Sequence, residues 1–336
     1  LTGITGETAH AVPTPEKLRA QSCPDGTAYV PPSRIDIQFE AIPLAARASQ
    51  GRLPPGVRYA GGWILTSSHA EFGGLSGMEL LADGNLLTVS DTGAFIWIGR
   101  TDGVPDGTGQ IAYMKGQDGT LLQGKADGDS EGLALKDGLA YVSFERRHRV
   151  EAFNLERCGT AARSALVAIL PDRIEGAAIR ENSGAEALSA GKFLTAGYEQ
   201  NIGGKTPLVV IGDKGMETLL REPVSSASSD PLVGMSNTIR LGDEGTAGSV
   251  VYSLRRDYNP ILGNRLTVEA EYSDAGGSSR RSLFTLAAPM NVDNFEGLTV
   301  ETLPDATHRL WIVSDNNFSD RQRTLLYAFD LVGEAH

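Results

Sequence analysis

The feature that most constrains this chain is a two-part phrase that returns five times between residues 75 and 315. Its first half is a polar residue, a small residue and an apolar run, as in Ser130-Glu131-Gly132-Leu133-Ala134-Leu135. It returns as Ile174-Glu175-Gly176-Ala177-Ala178-Ile179 and as Phe295-Glu296-Gly297-Leu298-Thr299-Val300. Looser copies are Leu75-Ser76-Gly77-Met78 and Met235-Ser236-Asn237-Thr238-Ile239. The second half is a strand-like run ending in an acid: Val89-Ser90-Asp91, Ser143-Phe144-Glu145, Gly197-Tyr198-Glu199, Arg255-Arg256-Asp257 and Val313-Ser314-Asp315. Starts at 76, 131, 175, 236 and 296 lie 55, 44, 61 and 60 residues apart. A repeat of this size built of short strands cannot bury its faces alone and is the mark of a β-propeller. The mean interval of 55 divides the 336 residues into about six units. An all-β propeller of six blades is therefore expected, with five or seven blades as the alternatives. Its ring would close by pairing a strand from residues 33–70 with Thr324–Leu331, which removes the exposed edge of an open array.

Composition supports this. There are 40 glycines in 336 residues, which argues for many tight turns, and Asp83-Gly84, Asp118-Gly119 and Asp137-Gly138 carry hairpin chemistry between strand-like runs. Hydrophobic residues at 40% suffice for a core, and no apolar run reaches the ~18 residues of a membrane-spanning helix. A net charge of −12 disfavours nucleic acid and anionic membranes as partners and favours cations. Residues 1–32 are proline-rich and read as an extended arm with room for a helical turn at Glu16–Ala20; residues 33–336 read as one propeller domain. Cys23 and Cys158 have no metal-site or redox spacing. They are either two unrelated thiols or one disulfide pinning the arm to the body, the second being the reading for an exported protein.

Propeller geometry turns the repeat into a site. The start of each innermost strand and the end of its antiparallel neighbour lie on one face. Glu131, Glu175 and Glu296 are thus expected at strand starts, with Asp91, Glu145, Glu199, Asp257 and Asp315 at strand ends. So many like charges need raised pKa values, arginine partners or a bound cation. Arg146, Arg147, Arg149, Arg255, Arg256, Arg321 and Arg323 flank these acids, and calcium suits oxygen-rich loops. The acids read either as blade staples paired with arginine or as cation ligands.

Other motifs carry less. Gly203-Gly204-Lys205-Thr206 ends like a phosphate-binding loop, but Glu199 stands where its first glycine is required. Asp127-Gly128-Asp129-Ser130-Glu131-Gly132 opens like an EF-hand loop but has Gly138 at position twelve; it can donate oxygens without being one. Gly74-Leu75-Ser76-Gly77-Met78 is not a nucleophile elbow, and the five scattered histidines argue against zinc. Trp63, Trp97 and Trp311 read as blade packing.

Several ordered motifs together resemble the phytase-like family, the propeller domain called esterase-like activity of phytase. They are Gly73-Gly74-Leu75-Ser76-Gly77-Met78 with Ser90-Asp91-Thr92-Gly93, and Asp129-Ser130-Glu131-Gly132-Leu133-Ala134 with Ser143-Phe144-Glu145-Arg146. Leu254-Arg255-Arg256-Asp257-Tyr258-Asn259-Pro260-Ile261-Leu262-Gly263 follows, then Asn294-Phe295-Glu296-Gly297-Leu298-Thr299 with Ser314-Asp315-Asn316-Asn317-Phe318. The resemblance covers about residues 70–332. It implies exported bacterial proteins, periplasmic or secreted, with a phosphoester-hydrolase role resting on Glu131, Glu145, Glu296, Asp91 and Asp315. Ser76 and Ser236 stand where other copies of the phrase carry glutamate.

The expectation is a calcium-dependent hydrolase of a small, phosphorylated substrate. Its cation would be held by Asp91, Glu131, Glu175, Glu296 and Asp315. Glu131, Glu145 and Glu296 would be the catalytic carboxylates, and Arg146, Arg255 and Arg256 would hold phosphate oxygens. Two alternatives use the same mouth: hydrolysis of lactones or carboxylic esters, and a non-catalytic propeller that binds a ligand or protein.

Overall fold

The computed structural model describes residues 12–224, 230–242 and 248–333. The first eleven residues of the expected arm and residues 334–336 lie outside the described residues.

Among the described residues the sheets form five blades rather than the expected six. Their inner strands are Leu75–Leu80, Ser130–Lys136, Ala185–Ala190, Leu232–Met235 and Asn294–Thr302. In blades one to three the chain then zigzags outward; in the first, Leu86–Ser90, Ala94–Thr101 and Val104–Tyr113 follow, and Ser33–Asp36 adds an outer edge. The fourth blade carries two twelve-residue strands, Gly248–Asn259 and Gly263–Asp274. The fifth closes the ring as expected: Val57–Thr66 pairs antiparallel with Thr324–Leu331, and Gln38–Ala41 covers its outer side. The length that suggested a sixth blade is spent on these outer strands, on the long fourth-blade hairpin and on the arm.

The arm holds a helix, Pro15–Ser22, longer than the single turn expected. Thr14 caps it, Pro15 starts it without an N–H to satisfy, and Leu18 enters the core beside Leu139, Val150 and Val167. Cys23 and Cys158 form a disulfide, so the pinned-arm reading holds.

Each inner strand carries a register irregularity at the same place, between Leu75/Met78, Ser130/Leu133, Ala185/Ala187, Leu232/Gly234 and Phe295/Gly297. Bulges of this kind re-aim side chains next to functional sites. The glycine beside the bulge in four of the five blades has a steric reason. A Cβ at Gly132 would stand 2.8 Å from the Leu188 nitrogen of the next inner strand, so the strands converge too closely for a side chain there. That is why the sequence writes Glu-Gly.

Candidate metal centre

Aligning the bulges stacks the mouth into two rings. The first, at strand starts, is Ser76, Glu131, Glu186, Val233 and Glu296. The second, at the ends of the neighbouring strands, is Asp91, Glu145, Glu199, Arg256 and Asp315. Beneath them Met78, Leu133, Leu188, Met235 and Leu298 line an axial cavity of about 10 Å³, room for one water at most. The acids therefore form a cup with an apolar floor.

Two triads of this cup bring carboxylate oxygens within 4.8 Å of one another: Asp129, Glu131 and Glu145, and Glu131, Glu186 and Glu296. Glu131 belongs to both. The Ser76 hydroxyl donates to Glu131 Oε2 at 3.0 Å and lies 3.4 Å from Glu296 Oε2. Glu145 Oε1 accepts from the Gly184 N–H at 2.7 Å. Arg256 pairs with Glu296 and lies 3.8 Å from Glu199, and Arg146 Nε pairs with Asp129 at 2.9 Å. Lys125 reaches Asp91 Oδ2 at 3.4 Å, while the buried Asp91 Oδ1 has no partner. Gly74 makes room for it, since a Cβ there would collide with that oxygen and with Phe318.

The charge balance is uneven. Asp91, Asp129, Glu131, Glu145, Glu186, Glu199, Glu296 and Asp315 are eight carboxylates, and the cations paired with them among the described residues are Lys125, Arg146 and Arg256. Burial, then the charges of Glu296, Glu145 and Asp129, push Glu131 well above the carboxylate range. Burial does the same to Glu186, with Glu131 and Glu145 adding to it. Glu145 is pushed up to about 7, burial outweighing the Gly184 N–H, and Asp315 to about 8 by burial and then Glu296. Asp91 is raised by burial against the pull of Lys125. Clustered oxygen donors, an orphaned buried carboxylate oxygen and a surplus of negative charge fit a hard divalent cation.

The expected site residues divide accordingly. Asp91, Glu131, Glu145, Glu296 and Asp315 come together in the cup, with Arg146 and Arg256 beside them. Glu175 does not. It is exposed, at positive φ, in the turn between Arg173–Ile174 and Ala177–Ala178 outside the rings. The third blade writes its phrase as Ala185-Glu186-Ala187-Leu188, and alanine in place of glycine hid Glu186 from the motif. The spacing would have found it, because residues 76, 131 and 186 are 55 apart.

Asp257 lies one residue past the ring and pairs with Arg265 at 3.5 Å, so Arg256 takes the position expected of an acid. Arg255 is not at the mouth surface. Buried, it pairs with Glu269 at 2.8 Å and donates to Thr206 Oγ1 and the Asp230 carbonyl, which is a blade staple. Ser236 lies three residues beyond the ring position held by Val233, where its hydroxyl accepts from the Tyr252 N–H. Asp129, which the sequence offers only within the EF-hand-like stretch, is a member of the first triad. Trp63 and Trp311 stack at 5.9 Å in the core, as expected. Trp97 lines a groove of about 470 Å³ on the first blade with Arg34, Asp36 and Gln110, and none of the cup residues reaches it.

Similar solved structures are distant. They include the RRP9 WD40 repeats (9% identity, 87% of this chain and 100% of that one, TM-score 0.42). An exo-1,5-α-L-arabinanase from a bovine ruminal metagenomic library is 10% identical over 76% of this chain and 92% of its own, TM-score 0.43. The PQQ-bound aldose sugar dehydrogenase of Streptomyces coelicolor is 11% identical over 90% and 99%, TM-score 0.38. Likeness at this level carries no inference about activity. No curated protein sequence matches the chain. The family described as phytase-like, esterase-like activity of phytase, matches residues 70–318, most of the chain and all of the cup-forming residues, and the chain belongs to that family.

Proposed function

We propose that this protein is an exported, metal-dependent hydrolase of phosphoric esters, with calcium as its cation and the acidic cup as its site. The observation that carries the reading is the pair of carboxylate triads sharing Glu131. Glu131, Glu186, Glu296, Asp129 and Asp91 would hold the cation, with Asp315 beside them. When bound, such an ion polarises a phosphoryl oxygen and lowers the pKa of water. The chain's own groups do the rest. Ser76 orients Glu131 and Glu296 through its hydroxyl. Arg256 holds Glu296 in place and keeps part of the charge balanced. Lys125 and Arg146, the more exposed cations of the mouth, meet an incoming anion first. Glu145, fixed by the Gly184 N–H and close to Asp129 and Glu131, would take a proton from an attacking water. The disulfide is consistent with export.

One observation favours a second reading. Arg146 and Arg256 are already turned onto acids, and Arg255 is buried, so an anion clamp would have to be freed. Lactones and carboxylic esters need no such clamp.

A panel of p-nitrophenyl phosphate, bis-p-nitrophenyl phosphate, p-nitrophenyl acetate and an aliphatic lactone, assayed with calcium and with chelator, tests both. Phosphoester turnover lost with chelator and in Glu131→Gln is expected. Turnover of the acetate or lactone alone supports the second reading, and a calcium-replete protein inert to the whole panel refutes both.

A further inference from the structure

The mouth is not symmetric, and the fourth blade is where it differs. It supplies Val233 and Arg256 where the other blades supply a hydroxyl or acids. Its strands also run on past the second ring, Asp257, Tyr258 and Asn259 pairing with Arg265, Asn264 and Gly263. At ~3.3 Å per residue these three pairs lift the turn about 10 Å beyond Arg256. On that turn Ile261 is 91% exposed and Leu262 69%, and on the strand leading to it Tyr258 is 66% exposed. The turn is built rather than loose: Asn259 Oδ1 accepts from the N–H groups of Ile261 at 2.8 Å and Leu262 at 3.1 Å, and Pro260 stiffens it. Large apolar side chains gathered in the open on an ordered turn are the feature that marks an interaction site.

Shape and charge select the partner. A single turn is too small to form half of a standard protein interface, which covers about 800 Å² per partner. It matches the ~5–10 Å depth to which apolar side chains enter the boundary between lipid headgroups and acyl chains. Tyrosine, apolar with a polar tip, suits that boundary. The net charge of −12 and the acid excess of the cup repel anionic lipid, leaving a zwitterionic surface.

We propose that the hairpin Asp257–Gly263 docks the protein on a zwitterionic lipid surface with the cup facing it, so that the ester it takes is one carried in that surface. The substrate class rests on the hydrolase reading above; the docking does not.

The test is co-sedimentation of the full chain with phosphatidylcholine vesicles. Wild type is compared with the double variant Ile261→Ser, Leu262→Ser and with Leu219→Ser, an exposed apolar residue on the outer strand of the third blade, as control. Wild type and control are expected to bind alike, the double variant at least tenfold more weakly, and phosphatidylglycerol is expected to weaken wild-type binding at low salt. Absence of wild-type binding, or equal binding by the double variant, overturns the docking. So does a wild-type dimer that the double variant loses without any vesicle binding, because the tip is then a protein contact. If the protein binds vesicles yet with calcium hydrolyses neither the panel above nor the phosphatidylcholine of the vesicles, the docking stands and the hydrolase reading falls.

Discussion

Replacing Glu79 with glutamine should make the protein more stable, and increasingly so as the pH rises. Glu79 lies on the first inner strand, three residues past Ser76 and beyond the apolar floor of the cup. Its Oε2 accepts from Thr299 Oγ1 at 3.3 Å, and its Oε1 is buried without a partner. Burial pushes the carboxyl up to about 8, against the opposing pull of the Leu135 N–H and the Thr299 hydroxyl, from an ordinary 4.5. Between those values the folded protein holds a proton that the unfolded chain has released. Stability from this group is therefore fully present below pH 4.5 and is lost as the pH rises towards 8. The slope is about 1.4 kcal/mol per pH unit, which sums to about 3 kcal/mol at pH 7. Glutamine keeps the shape and the acceptor but cannot ionise, so any cost of burying its amide is the same at every pH. The stability of the variant relative to wild type should rise by about 3 kcal/mol between pH 5 and pH 7.5. Guanidinium unfolding in chelator at the two pH values measures this difference, with the cup acids common to both proteins. A difference that does not change with pH would refute the reasoning, and one that shrinks would reverse its sign.

Three further outcomes follow from the cup. Because burial and mutual repulsion raise the pKa of Glu131, Glu145, Glu186 and Asp315, calcium binding should release protons and tighten from pH 6 to pH 8; calorimetry in buffers of different ionisation enthalpy reads this, and equal heats would exclude it. Glu186→Gln should weaken calcium at least tenfold in an equilibrium binding assay, whereas Glu175→Gln should leave it unchanged, since Glu175 lies outside the rings; the opposite ranking would mean the bulges have been misaligned. Arg255→Met should cost up to about 3–5 kcal/mol in chemical unfolding by breaking the buried ion pair with Glu269, with calcium affinity preserved, and a loss of affinity without destabilisation would return Arg255 to the site.

The recurrence of a polar residue, a small residue and an apolar run made the all-β propeller legible, because every inner strand meets the axis under the same crowding. Closure through Thr324–Leu331 was legible for a similar reason: a ring of blades has to hide its last edge. Most of the acids were legible too, since strand ends recur with the strands. The blade count was not. Outer strands and a long hairpin add length without adding blades, so dividing length by period overcounts. Glu186 was lost where alanine sufficed in place of glycine, and the nearby Glu175-Gly176 imitated the missing phrase on a surface turn. Asp257 and Arg256 were exchanged by a single residue of register, which in a strand moves a side chain to the other face.

The linear repeats alone specify the class of fold, the face on which the acids gather and hence the acidic character of that face. These follow from periodicity, which local sterics and hydrophobic burial impose on each repeat separately. The assembled ring settles what no repeat does: that five blades close it, that Glu131 stands in two triads, that Arg255 is a staple while Arg256 enters the cup, and that an apolar finger rises beside it. Those facts depend on which strands meet across the axis and on where each bulge falls. No repeat, taken alone, contains that information.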